Sequence, residues 1–185
     1  ANRSPSRQSF GDDYPFALYE NFGDFNDKFE EVWSRHSLSR MVAGFAWPWI
    51  TKNSKPGYDI EIDGVAKRWN ASQVNWVGRG MGESDKAYSF AHEVGCIHSI
   101  QGYDLSYVFV ILGNDITFDV ESGRIEVDPA SYFDRNGKNS ATPDELLGYI
   151  RNIYYVLLTR GVMGTYVYVC DKALREHLKK YIRVA

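Results

Sequence analysis

The chain has 185 residues, with 44% apolar and 15% aromatic residues, and 21 Lys+Arg against 24 Asp+Glu give a net charge of −3. A length within the ~100–200 residues of one domain points to a single folding unit, and the apolar share excludes wholesale disorder. The slight acidic excess argues against a strongly basic, stand-alone nucleic-acid binder.

Residues 1–13 are polar and short of aliphatics, as in a flexible leader or linker. Residues 14–20 form a strand candidate. Asp24 then reads as a helix N-cap, followed by Phe25, Phe29, Val32 and Trp33 at helical spacing as far as Ser37. Residues 41–50 read as a buried strand ended by Pro48. Apolar and acidic residues alternate over 58–62, Asp63-Gly64 is a hairpin turn, and 65–69 returns. Residues 70–92, with Gly78, Gly80 and Gly82, read as a long loop. Residues 93–100 and 107–112 are apolar enough for strands buried on both faces of a parallel sheet. A second hairpin joins 116–120 to 124–127 around Ser122-Gly123. Thr142-Pro143-Asp144-Glu145 is a capping box with proline at the first helical position, and Leu146, Ile150, Ile153 and Leu157 carry the helix to Thr159. Residues 164–169 are the last buried strand, and Asp171 caps a final helix with Leu174, Leu178 and Tyr181 inward. Strands alternating with amphipathic helices indicate an α/β layered domain.

Cys96 and Cys170 make no disulfide framework and read as reduced, packed thiols of a cytoplasmic protein. No run approaches the roughly 20 apolar residues that span a bilayer, and no secretory signal opens the chain. The first residue is Ala rather than Met, as in a processed chain or a piece of a longer one. A G-x-x-x-x-G-K-[ST] phosphate loop is absent: Gly137-Lys138 is followed by Asn139, and Tyr132 holds the first-glycine position. The glycines at 78, 80 and 82 read as a surface loop rather than an anion cradle. His92, Cys96 and His98 resemble metal ligands but lack an evident fourth, so no metal site is assigned. A Cys96/His98 nucleophilic pair lacks an orienting acid. Asp59, Glu61 and Lys67 suggest a metal-dependent nuclease but read better as a polar hairpin face.

Residues 96–110 (CIHSIQGYDLSYVFV) are different. A strand leads into a tight polar turn with His98, Gln101, Gly102 and Asp104, and then into another strand. Such a turn sits at the carboxyl end of a parallel strand, where α/β sheets bind ligands. His98-x-x-Gln101-Gly102-Tyr103-Asp104 followed by Tyr107-Val108 resembles motif V (96–108) of superfamily 1 DNA and RNA helicases. Tyr154-Tyr155-Val156-Leu157-Leu158-Thr159-Arg160-Gly161 resembles their motif VI (154–161), with a strand after it as the family requires. The wider wording, VAGFAWPW, EVGCIHSIQGYDLSYVFVILGNDI and LLTRGVMGTYVYVCDKALREHL, is similar to a bacterial helicase-like family related to the helicase domain of Schlafen proteins. The similarity spans about residues 14–182.

The resemblance implies a three-layer RecA-like domain over 14–185, of the P-loop NTPase class. Such a domain has a mostly parallel central sheet, helices on both faces and one or two inserted β-hairpins, but no phosphate loop of its own. It implies that Arg160 is an arginine finger reaching the γ-phosphate, against the alternative of a surface arginine at a helix C-terminus. Gln101 and Gly102 would face the nucleotide. Asp104, where the family usually has Glu, would lie toward its sugar. His98 would couple the nucleotide and nucleic-acid sites, against the alternative of a core histidine bonded to a carbonyl, and Tyr103 and Thr159 belong to the same coupling set. Arg40 corresponds to a motif IV arginine approaching phosphate, or to an ordinary helix-end arginine. Trp47 and Trp49 offer either base-stacking faces or a packed strand end. Lys172, Arg175, Lys179, Lys180 and Arg183 make the last helix basic, as a solvated face also would be.

The phosphate loop and the acidic pair for magnesium belong to a first RecA-like domain absent from this sequence. ATP and Mg²⁺ are therefore expected to bind mainly there. The expected partners are that domain and single-stranded DNA or RNA, with no membrane, and this fragment alone is expected to be inactive. The alternative is a catalytically inactive helicase-like module for nucleotide sensing or partner binding.

Overall fold

The computed structural model describes residues 13–70, 75–78, 90–139 and 141–185. In chain order the first elements are β1 (Phe16–Tyr19), α1 (Phe22–Arg35), β2 (Arg40–Ala43), β3 (Ile60–Ile62), β4 (Val65–Trp69) and β5 (Glu93–Val94). There follow β6 (Leu105–Leu112), β7 (Ile116–Asp119), β8 (Arg124–Val127), α2 (Arg135–Asn139), α3 (Pro143–Leu158), β9 (Gly161–Val169), α4 (Lys172–Leu178) and β10 (Arg183–Val184).

Five strands form an all-parallel sheet in the order β10-β1-β9-β6-β2. Its central strands β6 and β9 are apolar on both faces, as burial on both sides demands. Side-chain alternation divides the sheet into two faces of different chemistry. Phe109, Tyr166 and Tyr168 meet α1, where Phe25 and Phe29 each lie 5.3 Å from Phe109 and Phe22 lies 5.0 Å from Tyr168, in edge-to-face pairs. Much of the aromatic content is spent in this layer, each pair adding roughly 0.5–1.5 kcal/mol beyond its burial. On the opposite face Leu112 and Val167 meet Leu158 of α3 and Leu174 of α4.

The β3-β4 hairpin turns at Asp63 (φ 50°) and Gly64 (φ 80°), the left-handed pair that a two-residue hairpin turn requires. The β7-β8 hairpin is also present. Parallel pairing of β4 with β5, and of Gly95 with Val42, joins the first hairpin to the main sheet. The capping box of α3 is complete: Glu145 N–H donates to Thr142 Oγ1 at 3.4 Å, and Thr142 N–H donates to the Glu145 carboxylate at 2.8 Å.

Several boundaries differ from expectation. The N-cap of α1 is Asn21, whose Oδ1 accepts from Asp24 N–H at 3.1 Å, so Asp24 lies inside the first turn, where its charge favours the helix dipole. The strand expected over 41–50 ends at Ala43; the next residue, Gly44, lies under the Tyr154 ring, where a Cβ would come within 2.7 Å of the hydroxyl. The strand expected over 93–100 shrinks to Glu93–Val94, because Ser99 Oγ captures the Cys96 N–H at 3.2 Å and closes a turn. Both α2 and β10 are short polar segments without a periodic signal, and neither was expected. Gly80 and Gly82 lie outside the described residues.

At the carboxyl end of β6, Tyr154 of α3 donates its hydroxyl proton to Asp115 Oδ1 at 2.6 Å and accepts from Gly113 N–H at 3.0 Å. Asp115 is 1% exposed. Burial pushes its carboxyl up to about 7, opposed by the Tyr154 hydrogen bond. A folded-state value above the unfolded one means that the native state holds the extra proton between pH ~4 and ~7. Stability is therefore expected to fall as pH rises through that window, by up to about 4 kcal/mol. Asp115→Asn keeps the acceptor for Tyr154 and should flatten this slope. Chemical denaturation of both forms at pH 4.5 and 8 measures it.

Candidate functional site

Between β5 and β6 the chain makes a chain of turns rather than a regular element. Gly102 is what permits it. Its φ of +82° is left-handed, and a Cβ there would meet nothing within 4 Å, so glycine serves conformation and not space. The turn leaves the carboxyl end of β5 as expected, yet it delivers its polar residues to the opposite edge of the sheet. Leu105, first residue of β6, pairs with Gly161, first residue of β9. The site therefore starts at the carboxyl end of β5, where His98 lies beside Phe45 just past β2, and reaches to the amino ends of β6 and β9.

The two distant motifs meet here. The Arg160 carbonyl accepts from Leu105 N–H at 2.9 Å, which fastens the end of the 96–104 turn to the residue beyond α3. Ile97, His98, Ile100, Gln101, Gly102, Val156 and Arg160 line a cleft of about 320 Å³. Arg160 is half-buried. Its N–H reaches the Leu157 carbonyl at 3.3 Å and its Nε–H donates to the Val156 carbonyl at 3.4 Å. A cation resting on the last carbonyls of a helix is favoured by the helix dipole. A positively charged group, a side-chain amide and a glycine backbone thus share one opening, a combination suited to an anionic ligand.

His98 is exposed on the cleft wall with its ring 6.1 Å from Phe45, edge to face, and so it is not a core histidine. Thr159 caps α3, its Oγ1 lying 3.0 Å from the Tyr155 carbonyl and 3.1 Å from that of Val156. Tyr103 is partly exposed and donates its hydroxyl proton to Asn75 Oδ1 at 2.7 Å, while Asp104 is exposed beside it. Neither residue lines the cleft. Ile97, Ile100 and Val156 form its apolar walls; sequence reasoning assigned them no role, although all three lie inside or beside the motif strings.

Arg40 stands elsewhere. Its side chain is fully buried, donates to the carbonyls of Ser37 at 2.6 Å, Ser39 at 2.7 Å and Val77, and lies 3.7 Å over the Phe90 ring. Such a guanidinium is committed to the interior rather than to an incoming phosphate. Trp47 packs over Gly113, and Trp49 lies 6.4 Å from Trp69 with Lys52 above it. Part of the basic face of α4 is engaged: Lys179 pairs with Glu20 and Glu176, and Arg175 donates to the Glu20 carbonyl at 2.5 Å.

The Asp59 carboxylate accepts from Thr51 N–H (2.8 Å), Thr51 Oγ1–H (2.6 Å) and Trp69 N–H (2.7 Å), while Lys67 Nζ donates to Asn26. Asp59 and Lys67 therefore hold structure together, while Glu61 is exposed. Cys96 Sγ–H donates to Asn70 Oδ1 at 3.0 Å. Among the described residues no group of three or more His, Cys, Asp or Glu side chains is placed to hold a metal ion. No helix among them is long and apolar enough to cross a membrane.

Residues 1–171 match the family described as Schlafen group 3, DNA/RNA helicase domain. The chain is also 31% identical over 171 residues to an uncharacterized protein of Saccharomyces cerevisiae, YPL245W, covering 89% of this chain and 36% of that relative. The chain thus spans about a third of the length of the curated relative it matches. No solved structure matches it. With the family match running through both cleft-forming segments, the chain belongs to the Schlafen group 3 DNA/RNA helicase domain family.

Proposed function

We propose that this chain is the second RecA-like half of an ATP-dependent DNA or RNA helicase or translocase. A first RecA-like domain of the same parent chain would supply the phosphate loop and most of the hold on ATP and Mg²⁺. The observation that carries the reading is the meeting of Gln101, Gly102, His98 and Arg160 in one cleft, tied by the Leu105–Arg160 backbone bond. The parallel sheet with helices against both faces agrees with a RecA-like layering.

In this reading the two domains close on ATP, and Arg160 offsets negative charge developing on the transferred phosphoryl group. Gln101 and the Gly102 backbone contact the nucleotide from the turn. His98, on the same wall, couples nucleotide state to single-stranded nucleic acid outside the cleft. Tyr103 and Asp104 lie on the exposed rim of that turn, where a nucleic-acid strand or the nucleotide sugar would approach. Thr159 sets the helix end from which Arg160 leaves. Arg40 is left out of the site because its side chain is fully buried and both terminal guanidinium nitrogens donate to interior carbonyls.

The test compares the full-length gene product with the 185-residue chain in an ATPase assay, with and without single-stranded DNA or RNA. Turnover is expected only in the full-length protein, and stimulated there by nucleic acid. ATP hydrolysis by the short chain alone overturns the division of labour. The second reading is an inactive module for nucleotide sensing or partner binding. It is favoured by the short Asp104 side chain, which stays outside the cleft, and nucleotide binding without turnover in the full-length protein would select it.

A further inference from the structure

Thr159 and Arg160 are the only residues between the end of α3 and the start of β9. A side-chain relay closes around them. Thr165 Oγ1 reaches the Leu158 carbonyl, at the last residue of α3, at 3.1 Å. The same oxygen lies 2.8 Å from the Tyr14 hydroxyl, itself 2.8 Å from the Gly161 carbonyl, so two hydroxyl protons serve three contacts, two of them hydrogen-bonded at a time. These contacts therefore span from the peptide before Thr159 to the Gly161–Val162 peptide, one residue beyond Arg160, and they come from the opposite end of the chain. Thr165 is fully buried, and its N–H is held by the Pro15 carbonyl at 2.9 Å, so the segment leading into β1 grips β9 by both main chain and side chain.

The gripped backbone is an irregular one. Leu105 pairs with Gly161 but Tyr107 pairs with Gly164, so β9 carries one extra residue there, a bulge. A Cβ on Gly161 would come within 2.2 Å of the Gly164 carbonyl oxygen, and one on Gly164 within 2.6 Å of Pro15 and 2.9 Å of the Tyr107 ring. Val162 and Met163 stand out into solvent, 65% and 42% exposed. Ladder bonds alone do not fix the direction of a bulge, which is a known means of re-aiming a neighbouring side chain.

We infer that Tyr14, acting with Thr165, is a positioning residue for Arg160: its hydroxyl fixes the β9 bulge, and the bulge fixes the direction in which Arg160 leaves α3. The inference rests on the arginine-finger reading of Arg160. It assigns the entrance of the domain a mechanical share in catalysis, because a pull on the chain ahead of Tyr14 acts on the Gly161–Val162 peptide, one residue beyond Arg160.

Two measurements test it. The first is amide hydrogen exchange by NMR on the 185-residue chain as wild type, Tyr14→Phe and Thr165→Val. Both variants keep the packing and lose a hydroxyl. Exchange of the Leu105 and Thr165 amides is expected to quicken roughly tenfold, while amides in β2 stay unchanged. Unchanged exchange at both overturns the brace, whatever the protein's activity. The second is ATPase kinetics of the full-length gene product. Tyr14→Phe is expected to lower kcat roughly tenfold, the scale of a small misplacement of a catalytic group, with KM for ATP unchanged and with no further loss in an Arg160→Ala background. Faster exchange with full kcat overturns the positioning role, as does a loss of equal size in the Arg160→Ala background. Full turnover in Arg160→Ala itself removes the arginine-finger reading and this inference with it, and leaves the exchange result as a fact about stability alone.

Discussion

Arg160→Ala in the full-length gene product is expected to lower ATP turnover by roughly a thousandfold or more, the scale set by arginine fingers in well-studied nucleotidases. The KM for ATP should change by less than about fivefold, because the charge that Arg160 offsets develops in the transition state rather than in bound substrate. Arg160→Lys should rescue little, since an ammonium lacks the planar fork of donors that grips phosphoryl oxygens. Fold is not at stake: Arg160 is half-buried, its side chain donates to the Val156 carbonyl of its own helix, and the bond to Leu105 uses its backbone carbonyl, which the variant keeps. Steady-state kinetics beside a thermal melt separates the two effects. Unchanged turnover removes Arg160 from the mechanism.

Arg40→Ala should act in the opposite sense, on stability and not on turnover of the protein that remains folded. The buried carbonyls of Ser39 and Val77 and the part-buried carbonyl of Ser37 lose a charged donor, and the Phe90 ring loses the cation stacked on it. Buried groups left without partners cost about 1–3 kcal/mol each, so the total is on the order of 4 kcal/mol. For a domain of this size that corresponds to a fall in Tm of roughly 10 °C. Arg40→Lys should recover only part of it, because one ammonium cannot span three carbonyls and lie flat on a ring at once. A melt unchanged within 2 °C contradicts the structural role; loss of nucleotide affinity at constant Tm would return Arg40 to the phosphate site.

Features set by adjacent residues were legible in the sequence. The capping box at Thr142, the Asp63-Gly64 turn and the helical stripe of α3 depend on spacings of a few residues, and all three formed. Features set across the fold were not. Nothing near Gly44 announces that the Tyr154 ring will pack against it, one residue past the end of β2. Nor does anything near Arg40 show that Val77 and Phe90 will enclose it. The strand-like composition of 93–100 misled because the side chain of Ser99 competes for the backbone donor of Cys96. Within the site, the residue types of the two motifs were readable by resemblance, and Gln101, Gly102, His98 and Arg160 share the cleft. Tyr103, Asp104 and Thr159 do not line it, and the Arg40 side chain is buried away from it. Tyr14 could not be read at all, since its meaning lies in residues about 150 positions away.

The same long separation bears on how the chain acquires its fold. β9 lies between β1 and β6, with Phe16 opposite Thr165 and Phe109 opposite Tyr166. Until β9 is made, β1 has no neighbour on either side, since β10 follows later still, and a ribosome-bound chain holds a lone strand apart from the paired β2 and β6, with apolar edges. Contacts of such span form late and slowly, and unpaired edges invite association with other chains. Synthesis of this domain therefore carries an exposed interval that closes only when the last strands emerge, and a nascent chain stopped before residue 161 should be retained by chaperones or degraded, whatever its helices have already formed.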